Sequence, residues 1–328
     1  MRIVGSRWRS PAKVHITACP RLSAMGFSES EVIAVLARVF STTDSKLLVG
    51  IGDDAAVVSG HSVTVITTDM AVEGTHFKKQ WSSAFEIGRK VCAANCADIL
   101  AMGAVTDHLV VSVSLTGDEE ISWIEDLARG MKYEADLAGA SIVGGDLAKA
   151  QQITISMTAI GHCITPILRS GARPGDGIYL SSLTGWSAAG LVMKARDIGA
   201  LTQNQMKAID EFSAPSIDYS IDFLSATSLC DISDALVIQG EQMATASEVG
   251  FIIDRKLIED CAEYPALNLL AQELALDVWE LIFQGGEDHV LLATGMDLPG
   301  IRIGSVIEGS GLSGLELKKA PVAWRHFL

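Results

Sequence analysis

The acidic residues of this chain fall into two kinds. Most lie on amphipathic stretches, where they solvate a surface, but several stand in glycine-rich or apolar surroundings. These are Asp53 and Asp54 in GIGDDAAVV, Asp69 in TTDMAVEGTHF, Asp98 in NCADILAMGA, Asp146 in VGGDLA, Asp231 and Asp234 in CDISDAL, and Glu287 and Asp288 in QGGEDHVLL. A carboxylate in such a setting is costly unless a cation pairs with it. Hard divalent cations such as Mg²⁺ take oxygen ligands, and at phosphate-transfer sites they combine a few carboxylates with substrate phosphates and water. The glycine pairs before Asp146 and Glu287 bare the backbone so that N–H groups can reach phosphate oxygens, although each pair alone also makes an ordinary turn. The formal net charge is −15, so a polyphosphate could be held only through cations shared with the acids. The same charge argues against a general nucleic-acid binder, which needs clustered lysine and arginine.

Other chemistries find less support. No GxxxxGK[ST] loop is present. Gly50, Gly52 and Ala55 spell GxGxxA, but Asp53 and Asp54 would then face a dinucleotide pyrophosphate and repel it, and no strong βαβ pattern surrounds them. Ser187 in TGWSAAG lacks the GxSxG spacing of a hydrolase elbow. His76 has the chemistry of a general base, a zinc ligand or a substrate contact, and the want of a second histidine nearby disfavours zinc. The six cysteines include no CxxC pair and fit a reducing cytoplasm; Cys92 and Cys96 share a helix face and read more readily as small buried hydrophobes than as metal ligands.

Alternating apolarity predicts strands at 62–72, 107–115 and 152–161. Between them, SAFEIGRKVCAANCADILAMGA predicts a helix whose Ile87, Val91, Ala94, Asp98 and Met102 share one face, so Asp98 stands in the middle of an apolar stripe. Either a cation or metal pairs with it there, or the helix is turned so that Asp98 caps a neighbouring loop. A second helix, around EEISWIEDLARGMKYEADLAGA, is amphipathic and structural, and an earlier one begins near Ser28 and Glu31, at capping-box spacing, with Ile33, Leu36, Val39 and Phe40 on one face.

The 328 residues suggest two domains, with a boundary in the Pro- and Gly-rich SGARPGDGIYL. After it, helices at WSAAGLVMKARDIG and DALVIQGEQMATASEV mix with short strands at GFIIDRKL and HVLLATG, an α+β or α/β pattern. With 48% hydrophobic and 20% charged residues the composition is globular. No apolar run approaches the roughly 18 residues of a membrane helix, so neither membrane nor nucleic acid is an expected partner. Residues 1–24 carry Arg2, Arg7, Arg9, Lys13 and Arg21 without one acid and lack a secretory apolar region, which reads as a disordered extension or a start placed upstream of Met25.

The ordered set GIGDDAAVV, TTDMAVEGTHF, NCADILAMGA, VGGD, LRSGARPGD, GWSAAGL, DISDAL and GGEDHVL resembles the thiamine-monophosphate kinase family of the aminoimidazole ribonucleotide synthetase-like superfamily, from about Met25 to the C-terminus. The resemblance implies a two-domain PurM-like architecture. Residues 25–165 would form an N-terminal ATP- and Mg-binding domain whose β-sheet makes a barrel-like dimer interface, and 166–328 a C-terminal α/β domain. It also implies ATP-dependent, in-line phosphorylation of thiamine monophosphate by a cytoplasmic homodimer using several Mg²⁺ ions and no phosphoenzyme. Carried over residue by residue, the implied metal ligands are Asp54, Thr67, Thr68, Asp69, Asp98, Asp146, Asp231 and Asp234, with Asp146, Asp69 and Asp98 at the transfer site. Gly145, Asp146, Arg169 and Ser233 would contact ATP, with Arg169 the direct phosphate cation. His76, Glu287 and Trp324 would face the thiamine phosphate, Trp324 by stacking on one of its rings.

The chain departs from the family pattern in several places. Ala235 stands for a glycine of DLSDGL, His289 and Val290 for the Tyr and second Glu of GGEDYEL, and NCAD for NLSD, which removes a hydroxyl before Asp98. These departures keep two alternatives open: another ATP-dependent enzyme of the superfamily, and a catalytically silent nucleotide-binding module. The absence of a reactive Cys near an N-terminal glycine loop, and of a terminal Cys after WRHFL, disfavours two sister activities.

Overall fold

A computed structural model describes residues 29–49, 57–58, 60 and 63–316. Asp53, Asp54, Trp324, Ser28 and the basic stretch 1–24 lie outside the described residues.

The first half builds a four-stranded sheet with helices on one side. Helix α1 (Glu29–Val39) precedes a short antiparallel pair, β1 (Leu47–Val49) and β2 (Val57–Val58). Then come β3 (Thr64–Val72), α2 (Ala84–Leu100), β4 (Val105–Leu115), α3 (Ile121–Leu137), β5 (Ser141–Lys149) and β6 (Thr154–His162). The strand order is β3-β6-β4-β5, antiparallel except for β4 and β5, which α3 connects. Period-two patterning sorts the faces: Ile155, Met157 and Ala159 of β6 are fully buried beneath the helices, while Thr154, Ser156 and Thr158 are not. On β3 the opposite face leaves Ile66 66% and Met70 58% exposed, so no helix of the described residues covers that side. Helices α2 and α3 approach so closely that a Cβ on Gly88 would lie 2.1 Å from the Leu127 carbonyl and one on Gly130 2.0 Å from the Phe85 carbonyl. Only glycine permits that contact at both positions. The close fit fixes the axial position of α2, and with it Asp98.

The second half begins with β7 (Gly177–Leu180), α4 (Trp186–Ala195), α5 (Gln203–Ser213), β8 (Ser228–Ile232) and α6 (Leu236–Ser247). It continues through β9 (Gly250–Ile253), α7 (Arg255–Glu259), α8 (Tyr264–Glu273), α9 (Val278–Gln284), β10 (Val290–Gly295), β11 (Ile301–Ile307) and β12 (Gly311–Ser313). Six strands form one sheet in the order β12-β9-β11-β7-β10-β8. Its central strands are buried on both faces. Ile178, Leu180, Cys230 and Ile232 pack on the helices, whereas Tyr179, Leu229, Leu291 and Ala293 form a second core with Ala101 and Leu100 at the end of α2. That second core docks β8 against α2. Leu229 and Asp231 lie two residues apart on one face of β8, so the docking that buries Leu229 also aims Asp231 at the turn of α2 that carries Asp98.

At VGGD the ordinary-turn alternative does not hold. Gly144 and Gly145 form no turn; they lie within β5, where Gly145 pairs with Val111 and Asp146 with Ser112 of β4.

Candidate active site

Asp98 lies on the stripe of α2 that meets β3, and its Oδ2 accepts a 2.6 Å hydrogen bond from the Thr67 hydroxyl. Its partner is thus a strand hydroxyl, which rules out the loop-capping role. Burial, joined by the charges of Asp231 and Asp69, raises its carboxyl to about 6 against the opposing pull of the Thr67 bond and His289. Asp69, two residues along the same face of β3, is also raised above the ordinary aspartate range, first by burial and then by Asp231, while His289 and His76 oppose the rise. The main-chain N–H of Asp69 donates to Asn95 Oδ1 at 3.1 Å, and Asn95, fully buried on α2, returns its amide to the Val91 carbonyl. Asp69, Asp98 and Asp231 therefore converge where β3, α2 and β8 meet, close enough that each feels the others' charge.

His289, in place of the family's tyrosine, is the nearest counter-charge. Its Nδ1 stands 3.3 Å from Asp231 Oδ2. Burial lowers its pKa, but the hydrogen bond to Asp231 and the charges of Asp231 and Glu287 outweigh that and raise it. His76 accepts the Val72 N–H through Nδ1 at 3.1 Å, which puts the proton of its neutral form on Nε2.

The GGEDH segment is held at every residue. A Cβ on Gly286 would lie 2.3 Å from the Asp234 carbonyl, so a bare backbone is what lets this loop press against the Ser233–Asp234 turn. Glu287 and His289 both adopt left-handed backbone conformations, with φ of 60° and 51°, a strained pair of a kind that persists where surrounding structure enforces it. The enforcing contacts are visible. The Glu287 N–H donates to the Ser233 carbonyl at 2.6 Å and that of His289 to the Ile232 carbonyl at 2.9 Å. Asp288 is buried and accepts the N–H groups of Gly185 and Ser187 at 2.7 and 3.0 Å, tying the loop to the start of α4. Burial lifts the Asp288 carboxyl to about 6, with those two donors opposing the rise. Glu287 is then met by Lys90 of α2, whose ammonium donates to Glu287 Oε2 at 2.6 Å and to the Phe212 carbonyl at 3.0 Å. Burial alone would raise Glu287, but the charge and hydrogen bond of Lys90 hold it below the usual glutamate range.

Asp69, His76, Lys90, Glu287 and His289 line a cavity of about 780 Å³ between the two halves of the chain, and Asp98 and Asp231 stand behind that lining. Asp69, Ser233, Asp234, His76 and His289 mark a polar end, and Trp81, Ile87, Ala188, Leu191 and Phe212 an apolar one.

The remaining expected site residues are placed as follows. The hydroxyl of Thr68 points to the other face of β3 from Thr67, donating to the Met157 carbonyl and accepting from Thr158. Asp146 is exposed on β5, across two intervening strands from β3, so within one chain it does not join the Asp69–Asp98–Asp231 group. Arg169 is exposed between β6 and β7 and donates to the Gln242 side chain at 2.5 Å. Cys92 and Cys96 are both fully buried, as small hydrophobes.

The departures are accommodated. Ala235 has φ of −176°, an extended backbone that any residue adopts, so glycine is not required there. Val290 is buried in β10, and Ala97 is fully buried, so the missing hydroxyl would have pointed into the core.

Sequence reasoning missed Lys90, Asn95, Trp81 and Phe212, and it marked Asp288 as an acid in a glycine-rich setting without finding its partners. For Lys90 a signal existed, since it precedes Ala94 and Asp98 by four and eight residues on the same helix face.

Residues 52–163 match the model of the family described as AIR synthase related protein, N-terminal domain. Over 280 residues the chain is 36% identical to the thiamine-monophosphate kinase of Mycobacterium tuberculosis, a match covering 84% of this chain and 83% of that one. A solved structure of thiamine-monophosphate kinase from Stenotrophomonas maltophilia aligns with a TM-score of 0.73 at 25% identity, over 88% of this chain and 96% of that one. A second, described as AaThiL complexed with AMPPCP and TMP, aligns with a TM-score of 0.73 at 27% identity, over 91% and 97% of the two chains. The fold is therefore the PurM-like one of these proteins, with mixed α/β content.

Proposed function

Because this chain belongs to the thiamine-monophosphate kinase family, we propose that it transfers the γ-phosphoryl group of ATP to thiamine monophosphate, giving thiamine diphosphate and ADP. The observation that carries the reading is the convergence of Asp69, Asp98 and Asp231 beside a cavity that Asp69 lines and whose far end is apolar and aromatic. Gathering three carboxylates within reach of one another, Asp231 buried and Asp98 half-buried, makes sense where a cation and a polyphosphate complete the charge balance.

The donor set suits Mg²⁺: hard oxygens, with two carboxyls lifted first by burial and then by neighbouring carboxylates, and so poised to gain from a cation. Among the described residues no group of three or more His, Cys, Asp or Glu is already arranged to hold a metal ion. Asp69, Asp98, Asp231 and Asp234 would hold it, with Asp54, Asp146 and Thr67, and Thr68 through its main chain. When bound, Mg²⁺ supplies charge neutralisation for the phosphates.

The residues of the chain supply the rest. Gly145, Asp146, Arg169 and Ser233 orient ATP. His76, Glu287 and Trp324 hold the acceptor so that its phosphate oxygen lines up with the γ-phosphorus, and the walls of the cleft exclude water that would otherwise compete as acceptor. Direct transfer needs no covalent intermediate.

The proposal extends to organisation. Residues 25–165 and 166–328 form the two domains, and the uncovered face of the four-stranded sheet, with Ile66 and Met70 exposed, pairs with a second copy in a cytoplasmic homodimer. Among the described residues no helix is long and apolar enough to cross a membrane.

Asp98 also sets a pH dependence. Its carboxyl, at about 6 in the cation-free chain, lies above the ordinary aspartate value, so as pH falls through about 6 it takes a proton that an incoming cation must displace. Isothermal titration should find Mg·ATP bound several-fold more weakly at about pH 5.5 than at about pH 7.5. An affinity that did not change would separate Asp98 from cation binding.

The function itself is tested by ADP release with Mg·ATP and a panel of phosphorylated and unphosphorylated acceptors. Release stimulated by thiamine monophosphate, and not by thiamine, supports the reading; release stimulated by a different acceptor replaces it.

A further inference from the structure

At the apolar end of the cavity two aromatic rings form a corner that the transfer chemistry does not use. Trp81, in the segment between β3 and α2, and Phe212, near the end of α5, stand with ring centroids 6.0 Å apart and planes at 63°. The two residues come from different halves of the chain, so the corner exists only when the cleft is assembled. Lys194 of α4 braces it by donating to the Trp81 carbonyl at 2.6 Å.

Each ring already carries an ammonium group. Lys78 Nζ lies 3.8 Å from the Trp81 ring centroid, and Lys90 Nζ lies 4.7 Å from that of Phe212. The two lysines are held very differently. Lys90 is 12% exposed and locked to Glu287 and the Phe212 carbonyl. Among the described residues no carboxylate lies within ion-pair distance of Lys78, and what holds its ammonium in place is the indole face. The turn that brings it there is local, with the N–H groups of Trp81 and Ser82 both donating to the Lys78 carbonyl. A tryptophan face is the best of the aromatic surfaces for a cation, and more so where water is excluded. Here the ammonium of Lys78 occupies it.

We propose that the indole face of Trp81 is a seat for the acceptor's cationic heteroaromatic ring, and that Lys78 fills this seat until the ring displaces it. The proposal rests on the kinase reading for the identity of the acceptor, a phosphomonoester carrying such a ring; the thiazolium of thiamine monophosphate is one. Trp81 is then a specificity residue, acting on acceptor affinity and leaving the transfer step to the acid cluster at the other end.

The test measures KM for thiamine monophosphate, KM for ATP and kcat in Trp81→Ala, Trp81→Phe and Lys78→Met full-length proteins, with titration calorimetry of thiamine monophosphate alongside. Trp81→Ala should raise the acceptor KM about tenfold or more while KM for ATP and kcat stay within about threefold. Trp81→Phe, which keeps a ring with a weaker face and guards against a folding defect, should fall between. Lys78→Met should tighten acceptor binding a few-fold, because the competing cation is gone. An acceptor KM unchanged in both Trp81 variants overturns the seat, and looser binding in Lys78→Met overturns the place-holder by making Lys78 a substrate contact. The two readings fail separately. A wild-type protein that binds thiamine monophosphate without phosphorylating it refutes the kinase reading, and the binding series still decides the role of Trp81.

Discussion

Replacing Asp231 by asparagine is expected to lower kcat by about a thousand-fold, the scale of losing one preorganised charge at a phosphoryl-transfer site. The side chain is almost isosteric, and Asp231 lies in a strand whose pairing with Leu291 of β10 uses main-chain groups only, so β8 should keep its register. What changes is charge. Asp231 contributes to the rise of both Asp69 and Asp98 and is the hydrogen-bond partner of His289. With asparagine there, the site loses a cation ligand, His289 loses the carboxylate that raises its pKa against its burial, and the Asp98 carboxyl moves down from about 6 toward the ordinary range. The substitution therefore carries a second signature: the acid edge of Mg·ATP binding shifts to lower pH. A merely structural loss would leave that edge where it was. Steady-state kinetics together with titration at several pH values measure both effects.

Asp146→Asn is expected to abolish turnover as well, by about a hundred-fold or more, with almost no change in stability. The contrast comes from placement. Asp146 is exposed on β5 and makes no core contact, so an isosteric change should alter folding free energy by no more than about 0.5 kcal/mol. A catalytic loss at constant stability would mark it as a nucleotide or cation ligand. It would also fit a site completed when the uncovered sheet face pairs with a second copy, since within one chain Asp146 is separated from Asp69 by two strands. Kinetics and a thermal unfolding curve on the same preparation decide the point. Normal turnover would remove Asp146 from the proposed ligand set.

How far the sequence disclosed these arrangements depended on the range of the interaction. Asp98 could be found because helix periodicity is local: an acid in the stripe of Ile87, Val91 and Ala94 is conspicuous, and its burial follows from the stripe. Strand periodicity similarly separates Thr67 from Thr68, and the structure turns their hydroxyls to opposite faces of β3. The glycines of VGGD were ambiguous because a pair of glycines also makes an ordinary turn. Their place in β5 depends on parallel pairing with β4, a contact made across the α3 connection. Lys90 was overlooked because a lysine on an amphipathic helix ordinarily solvates the surface, and its partner Glu287 lies 197 residues away. Asp288 was visible only as another acid of GGED, since its partners, the N–H groups of Gly185 and Ser187, lie more than 100 residues earlier. The aromatic corner is of the same kind, each ring unremarkable in its own segment. The family motifs led to the acid cluster because each carries its own local pattern, whereas the residues that position those acids and line the acceptor end are joined only by tertiary packing.

The central claim is that this chain moves a phosphoryl group from ATP to thiamine monophosphate at the Asp69–Asp98–Asp231 cluster. The most direct measurement follows the γ-phosphorus itself, incubating full-length protein with ATP labelled at that position, Mg²⁺ and thiamine monophosphate, and resolving the products. The expected result is labelled thiamine diphosphate, one ADP per diphosphate formed, dependence on Mg²⁺, and transfer reduced about a thousand-fold in Asp231→Asn. A wild-type protein that binds ATP across a range of Mg²⁺ concentrations, yet leaves thiamine monophosphate unlabelled, would contradict it.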